Sequence, residues 1–188
     1  MILPHHKMKL FPFKHILILG VFCISNLIAY SQQRRLINYT EIGALLHHTN
    51  SLNNNSKFNG FRTRTGITKI IDGHFGLGIA LGTDNYRKAN GGNYNTLPAT
   101  LNAAYYLNSD LSGLRGDVYG GYAFKLFGNF NKGLTAGAGI SYSFPLNKGM
   151  NLGIQTGYNY QKIDFLSTFI ENGFGMGSFR LGLGITFK

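Results

Sequence analysis

Hydrophobic and polar residues alternate along most of the chain after Ser31. A period of two predicts β-strands with one apolar face, whereas a helix would need a period near 3.6. The pattern is clearest at the C-terminus, where one face carries only apolar side chains: Phe179, Leu181, Leu183, Ile185 and Phe187. No stretch beyond Ser31 sustains a helical period, so we expect an all-β fold.

Eight segments fit this alternation. They span residues 36–47, 60–71, 74–83, 97–107, 114–126, 134–144, 150–161 and 179–187. The first two are the least regular, and the apolar face expected for the first consists of Ile42, Ala44 and Leu46. An even number of antiparallel strands places both chain termini on the same side of the membrane, which is expected to be the periplasmic side.

The connections between these segments alternate in length. Short ones are expected at residues 72–73, 108–113 and 145–149, and long polar ones at residues 48–59, 84–96, 127–133 and 164–177. Short turns at one end and long loops at the other are typical of outer-membrane barrels. The sequence therefore predicts an eight-stranded antiparallel up-and-down transmembrane β-barrel, with short periplasmic turns and long outer loops.

Two features indicate that the apolar face points outward. The opposite face is built from Gly, Ser, Thr, Asn and Gln, which suits a narrow, filled interior better than a wet surface. The aromatic residues also form two bands, as a bilayer with two interfaces requires. The long-loop band is Phe61, Tyr122, Phe124, Tyr158, Tyr160 and Phe179, and the short-turn band is Tyr105, Tyr142, Phe144 and Phe187. A soluble ligand-binding barrel is the alternative, because it alternates in the same way.

The N-terminus has the pattern of an export signal. Three lysines precede an apolar run over residues 16–29, which is short for a membrane-spanning helix. We expect residues 1–31 to be removed and residues 32–188 to form the barrel, with translation starting at Met1 or Met8. A retained membrane anchor is the alternative. Cys23, the one cysteine, lies inside this signal, so the mature chain has no thiol for a disulfide, metal site or nucleophile.

The charge balance is basic but dispersed. The formal net charge is +11, and removal of the three signal lysines would leave +8. Charged residues make up only 13% of the chain, against about 25% in soluble domains. The basic residues are scattered singly, so we do not expect nucleic-acid binding.

The chain resembles the small outer-membrane β-barrels of the Bacteroidetes type, and in size the eight-stranded OmpA/OmpX barrels. The motifs that carry the resemblance are SQQ at residues 31–33, GITKIIDGHFGLGIALG, LPATLNAAYYL and the final FRLGLGITF. The resemblance implies a location in the bacterial outer membrane. It also implies that the barrel-insertion machinery recognises the C-terminal strand, although Lys188 follows the aromatic Phe187.

Seven charged residues are expected to face the interior. They are Glu41, Arg62, Arg64, Arg115, Asp117, Lys125 and Arg180. The interior of an eight-stranded barrel is just filled by side chains, so these charges favour a structural ion-pair plug over a conduit. Glu41 is expected to pair with Arg62 or Arg64.

The outer loops offer candidate binding residues. Lys57, Arg87, Lys88 and Lys132 are expected there, where they could pair with lipopolysaccharide phosphates. His47, His48 and Ser51 resemble parts of a rim-sited hydrolase, but no acidic residue lies near them in sequence. We therefore expect no catalytic residue, no metal and no cofactor.

The function expected is a structural, adhesive or binding role through the outer loops. A narrow pore for small solutes is the first alternative and a rim-sited lipid-modifying enzyme the second. The partners expected are outer-membrane lipid, lipopolysaccharide and the insertion machinery, with the chain acting as a monomer.

Overall fold

A computed structural model describes residues 36–50, 57–88, 93–125, 130–164 and 173–188. The chain divides into two units, residues 1–34 and 35–188. The first unit, which holds the predicted signal peptide, lies outside the described residues. In the described part of the chain there is no helix long and apolar enough to cross a membrane.

Ten strands make up the described fold, and eight of them close into a barrel. The barrel order is β1-β2-β3-β5-β6-β8-β9-β10 with β1 again beside β10, every pair being antiparallel. The strands are β1 (Leu36–Asn50), β2 (Phe58–Ile71), β3 (Phe75–Lys88), β4 (Asn93–Thr96), β5 (Pro98–Tyr106), β6 (Gly113–Ala123), β7 (Phe130–Asn131), β8 (Gly133–Asn147), β9 (Met150–Ile163) and β10 (Phe174–Phe187). The eight-stranded barrel predicted from the alternation is confirmed.

The registers show that the strands are strongly tilted. Stepping from partner to partner around the barrel, from Ile37 in the direction of β2, leads back to β1 at His47, ten residues further along. The residues passed on the way are Thr68, Gly78, Asn102, Tyr119, Gly137, Asn159 and Ser178. Such a stagger tilts the strands by about 35–45° from the barrel axis.

Short turns close one end of the barrel, which we call the turn side. The turn between β2 and β3 places Asp72 at φ 53° and Gly73 at φ 88°. Asp72 accepts hydrogen bonds from the backbone N–H groups of His74 at 3.2 Å and Phe75 at 3.1 Å. Aspartate tolerates the left-handed region because its side chain bonds to the local backbone. The opposite end is called the loop side.

The barrel wall is apolar outside and polar inside over most of its height. Leu101 is 70% exposed and Leu81 is 60% exposed, whereas Arg180 is 1% exposed. This is the reverse of a soluble barrel, and it confirms the outward direction predicted for the apolar face.

On the loop side six of the eight barrel strands run further than the alternation predicts, whereas β5 and β6 are shorter. Strand β3 continues to Lys88, and β4 pairs with it in register from Asp84↔Thr96 to Arg87↔Asn93. The prediction of a loop over residues 84–96 is therefore wrong for most of that segment. The reason is a change of polarity: here Tyr86 faces the interior, fully buried, and Arg87 faces out. These residues form a strand, but they lack the apolar outward face by which the alternation identifies one.

Candidate functional site

The interior of the barrel is filled in three layers. An apolar set that we call the turn-side cluster closes one end: Ile37, Ile70, Ala104, Tyr106 and Leu111. A second apolar set, the loop-side cluster, closes the other: Leu45, Phe58, Tyr86, Ile163, Phe174 and Met176, with Tyr94 packed against it. Between them lie the buried charged side chains, which we call the ion network.

Arg62 and Asp84 form the tightest ion pair of the network. The Arg62 Nε atom lies 2.7 Å from Asp84 Oδ1, and its Nη2 lies 2.7 Å from Oδ2. Their side chains are 3% and 0% exposed. Two parallel bonds between a guanidinium and a carboxylate are the strongest form of a protein ion pair. Asp84 therefore neutralises Arg62 in an interior where an unpaired charge would be costly.

Tyr119 lies at the centre of the network. The guanidinium carbons of Arg62, Arg64 and Arg180 lie 5.1, 4.1 and 5.5 Å from the centre of its ring. Its hydroxyl accepts a hydrogen bond from Arg62 Nη1 at 2.6 Å and donates one to Asn159 Oδ1 at 2.5 Å. One ring thus provides a face for several cations that would otherwise repel one another.

Asn159 joins the network to the loop-side cluster. Its Nδ2 donates to the Tyr86 hydroxyl at 2.7 Å, while its Oδ1 accepts from Arg62 and Tyr119. Asn159 is 0% exposed. A buried amide must bond through both its oxygen and its nitrogen. Asn159 does so, and it holds a tyrosine of the apolar cluster against the charged layer.

The other two carboxylates each serve two arginines. Glu41 Oε1 lies 3.7 Å from both Arg64 Nη1 and Arg180 Nη1. Asp117 lies 3.2 Å from Arg180 Nη2 through Oδ2 and 3.2 Å from Arg115 Nη2 through Oδ1. Arg180 therefore bridges the two carboxylates. A cavity beside Glu41, Arg115 and Ser141 has room for about one water molecule.

The structure places six of the seven predicted interior charges inside the barrel. Glu41 pairs with Arg64, one of the two partners expected for it, while Arg62 pairs with Asp84. The interior position predicted for Lys125 is wrong, because β6 ends at Ala123 and Lys125 is exposed. The alternation predicts the direction of a side chain only within the strand itself.

Sequence reasoning missed Asp84 and Tyr119 as central members of the network. The alternation predicts a loop at Asp84 because the outward apolar face stops before it. Tyr119 shares a strand face with Arg115 and Asp117, but its neutral side chain does not mark it as the centre of an ion network. The one available signal for Asp84 was its even spacing from Gly78, Ala80 and Gly82, which face the interior of the same strand.

Cations surround the loop-side end of the barrel. Lys57 and Arg87 are exposed, and Lys88 and Lys132 are partly buried. Lys162, also at this end, lies 3.2 Å from Asp164. Arg87 points outward, two positions beyond Asn85 on the same face of β3. The predicted binding residues thus lie on the rim, and two of the four, Arg87 and Lys88, belong to strand β3 rather than to a loop.

The two histidines of the loop-side end pack against aromatic rings. His48 lies 4.9 Å from the Phe179 ring centre and 5.7 Å from that of Tyr158. The imidazole of His47 lies 6.0 Å from Phe58. Ser51 lies outside the described residues. Among the described residues no group of three metal-ligating side chains comes together.

Comparison with known proteins gives structural similarities only. No family model and no curated protein matches the chain. The chain is similar in structure to Neisserial surface protein A, at 17% identity and a TM-score of 0.47 over 81% of this chain and 96% of that one. It is also similar to the outer-membrane protein OprG of Pseudomonas aeruginosa, at 15% identity and a TM-score of 0.42 over 81% and 95% of the two chains. The N-terminal β-barrel domain of OprF from the same bacterium has 16% identity and a TM-score of 0.41 over 82% and 97%. All three TM-scores lie below 0.5, so the fold assignment rests on the strand registers described above.

Proposed function

We propose that the chain is a closed, non-conducting barrel of a bacterial outer membrane that acts through its loop-side rim in a structural, adhesive or binding role. The observation that carries the proposal is an interior filled by an ion network and covered at both ends by apolar clusters. A path for ions would have to displace the buried side chains of the ion network. The surface left for function is the loop-side rim.

The membrane location is supported by the outer surface of the wall. Exposed leucine, isoleucine and valine side chains lie between two levels of outward aromatic residues. A barrel closed by hydrogen bonds on every strand satisfies its backbone without water, as lipid requires. The similarity to Bacteroidetes-type barrels stays a prediction from the sequence motifs alone.

Fractionation of cells that express the full chain tests the location. We expect the protein in the outer-membrane fraction, with faster migration on an unheated denaturing gel than after boiling. Recovery of the protein in a detergent-free periplasmic extract would contradict the proposal.

Reconstitution in planar bilayers tests the closed interior. The chain should give no unitary conductance, whereas a general porin reconstituted in parallel gives regular steps. Regular steps from the chain itself would favour the pore alternative.

We further propose that Lys57, Arg87, Lys88 and Lys132 bind phosphate groups of lipopolysaccharide. The outward position of Arg87 beyond the aromatic level of the wall is where the phosphates of an outer leaflet would lie. Charge-assisted bonds from lysine and arginine to phosphate are among the stronger polar contacts. Acidic side chains within the described rim are few, and Asp164 is paired with Lys162.

Replacement of the four rim cations by glutamine tests this binding. The amount of lipopolysaccharide that purifies with the barrel should fall severalfold. The matched control replaces three cations of the turn side, Lys69, Lys148 and Lys188, and should leave the amount unchanged. An equal loss in both variants would indicate a general charge effect and contradict a rim site.

The C-terminal strand is our proposed recognition element for the insertion machinery. Phe187 is its last outward side chain and is 47% exposed. Phe144 on β8 is equally exposed at the same end of the barrel. Phe187→Ala should lower the yield of folded barrel in the outer membrane more than Phe144→Ala does. Equal yields would count against recognition of this strand.

A further inference from the structure

One part of the outer wall is polar where the rest is apolar. Strands β1, β2 and β3 carry threonine and asparagine on their outward faces, and we call these residues the polar stripe: Asn38, Thr40, Thr63, Thr65, Thr83 and Asn85. On the other five barrel strands, Thr156 is the one hydroxyl or amide side chain that faces outward between the aromatic levels, among the described residues. The stripe is therefore a local feature of the wall.

The stripe follows the barrel axis. Because the strands are tilted, a position further along one strand toward the loop side is also displaced sideways around the barrel. A step to the hydrogen-bonded partner, from β1 to β2 or from β2 to β3, also leads toward the loop side but reverses the sideways displacement. Thr40 lies opposite Thr65, and Thr63 lies opposite Thr83, so each pair is one step of this climb. The two asparagines lie at the ends, Asn38 toward the turn side and Asn85 toward the loop side. In a membrane the stripe would cross the whole apolar layer.

The hydroxyls pair with one another but keep bonding capacity. Thr40 and Thr65 Oγ1 lie 3.1 Å apart, and Thr63 and Thr83 Oγ1 lie 3.0 Å apart. Thr65 Oγ1 donates to the Tyr39 carbonyl at 3.2 Å, so Thr40 is the donor in the first pair. Each hydroxyl oxygen has two acceptor positions, and Thr40 therefore still has both of its own. Lipid tails offer no partner for them.

Apolar side chains flank the stripe on both sides. Ile42 and Phe61, on one side, are 48% and 49% exposed. Ile79 and Leu81, on the other, are 57% and 60% exposed. The stripe is therefore bordered along both edges by apolar side chains, which we call the apolar ridges. In a membrane, hydroxyl and amide side chains on an outer surface favour contact with another protein, because lipid tails offer them no hydrogen-bond partner.

We propose that the polar stripe binds a second copy of this chain in the membrane. Hydroxyl and amide groups both donate and accept, so the stripe is complementary to itself. A twofold axis along the membrane normal keeps both copies in the same orientation and brings residues of equal height together. Because the stripe runs along the barrel axis, the two stripes meet along their length. The proposal depends on the membrane location proposed above, and it replaces the monomer expected from the sequence.

Cysteine cross-linking in isolated outer membranes tests the dimer. Thr65→Cys is made in a Cys23→Ser chain, so that it is the one thiol present. The matched control is Ala138→Cys, which also faces outward but lies on β8, four strands away in either direction around the barrel. With a short bifunctional maleimide, Thr65→Cys should give a product of twice the monomer mass at severalfold higher yield than Ala138→Cys. Equal yields, no product, or a product of another mass would overturn the proposal.

A second variant tests the role of the hydroxyls. Thr40, Thr63 and Thr83 are changed to valine in the Thr65→Cys chain, which keeps the branched shape and removes the polar groups. The cross-linked yield should fall severalfold, while outer-membrane recovery and migration on an unheated gel remain native. An unchanged yield would show that the apolar ridges alone hold the pair and would overturn the assignment to the stripe. Recovery of the Thr65→Cys chain with its other threonines intact outside the outer membrane would instead contradict the proposed location, so the two failures are distinct.

Discussion

The wall of the barrel and its loop-side end have opposite distributions of apolar and polar side chains, even along one strand. In β3, Leu77 and Leu81 point outward with glycine facing the interior; a few residues later, Tyr86 points inward, fully buried, and Arg87 points outward. The side chains still alternate with a period of two, but the apolar side chains change from the outward face to the inward face. The two regions differ because the surroundings of the wall are apolar in the proposed membrane, whereas those of the loop-side end are aqueous. The point of reversal marks the outer boundary of the proposed membrane layer.

The largest effect expected is the loss of the carboxylate of Asp84, where the two regions meet. Asp84→Ala would leave Arg62 buried without its bidentate partner, and removal of one member of a buried pair costs about 3–5 kcal/mol. Urea unfolding in lipid vesicles, followed by circular dichroism because the chain has no tryptophan, measures the change. The double variant Arg62→Met with Asp84→Leu removes both charges and should lose less. A single variant within about 1 kcal/mol of the native chain would contradict the pairing.

These residues separate the parts of the fold that the sequence predicts from those that it does not. The eight strands and the outward faces were predictable because each wall strand repeats one period over about ten residues. Asp84 was not, since a reversed alternation is indistinguishable from a polar loop until the cross-strand pairing with Thr96 is known. The central position of Tyr119 depends on the stagger of the strands, because Arg62 and Arg64 on β2 and Arg180 on β10 all reach one ring on β6.

Adjacent leucines on β1 separate the loop-side interior from the wall. Leu45 is fully buried in the loop-side cluster, and Leu46 beside it is 48% exposed on the outer face. Leu45→Ala should lower the free energy of unfolding by about 3 kcal/mol because it leaves a cavity. Leu46→Ala should cost less than about 1 kcal/mol, since lipid or detergent fills the space that it leaves. The same urea titration compares the two, and equal losses would contradict the packed cluster.

A charge placed at two heights on the outer face locates the boundary between the regions. Leu101 lies in the middle of the wall on β5, and Leu134 begins the outward face of β8 at the loop side. Arginine at the middle of a bilayer costs about 2–4 kcal/mol, and near an interface about 0–1 kcal/mol. Leu101→Arg should therefore destabilise the barrel in vesicles, whereas Leu134→Arg should be tolerated. If both variants had the same stability, the wall would not be in contact with lipid.

The smallest effect expected is at the turn side, where neither region is involved. Hydrogen bonds from the backbone N–H groups of Phe75 and His74 lower the pKa of Asp72 below its usual 3.8. A lowered pKa in the folded chain means that the carboxylate stabilises the turn above 3.8, and that this contribution is lost as the pH falls through the lowered value. Asp72→Asn keeps an acceptor and tolerates the same backbone conformation, but it does not titrate. The difference in unfolding midpoint between the native chain and this variant should be constant from pH 7 down to about pH 5 and should change only below that. A difference that changed between pH 7 and pH 5 would contradict the assignment of this effect to Asp72.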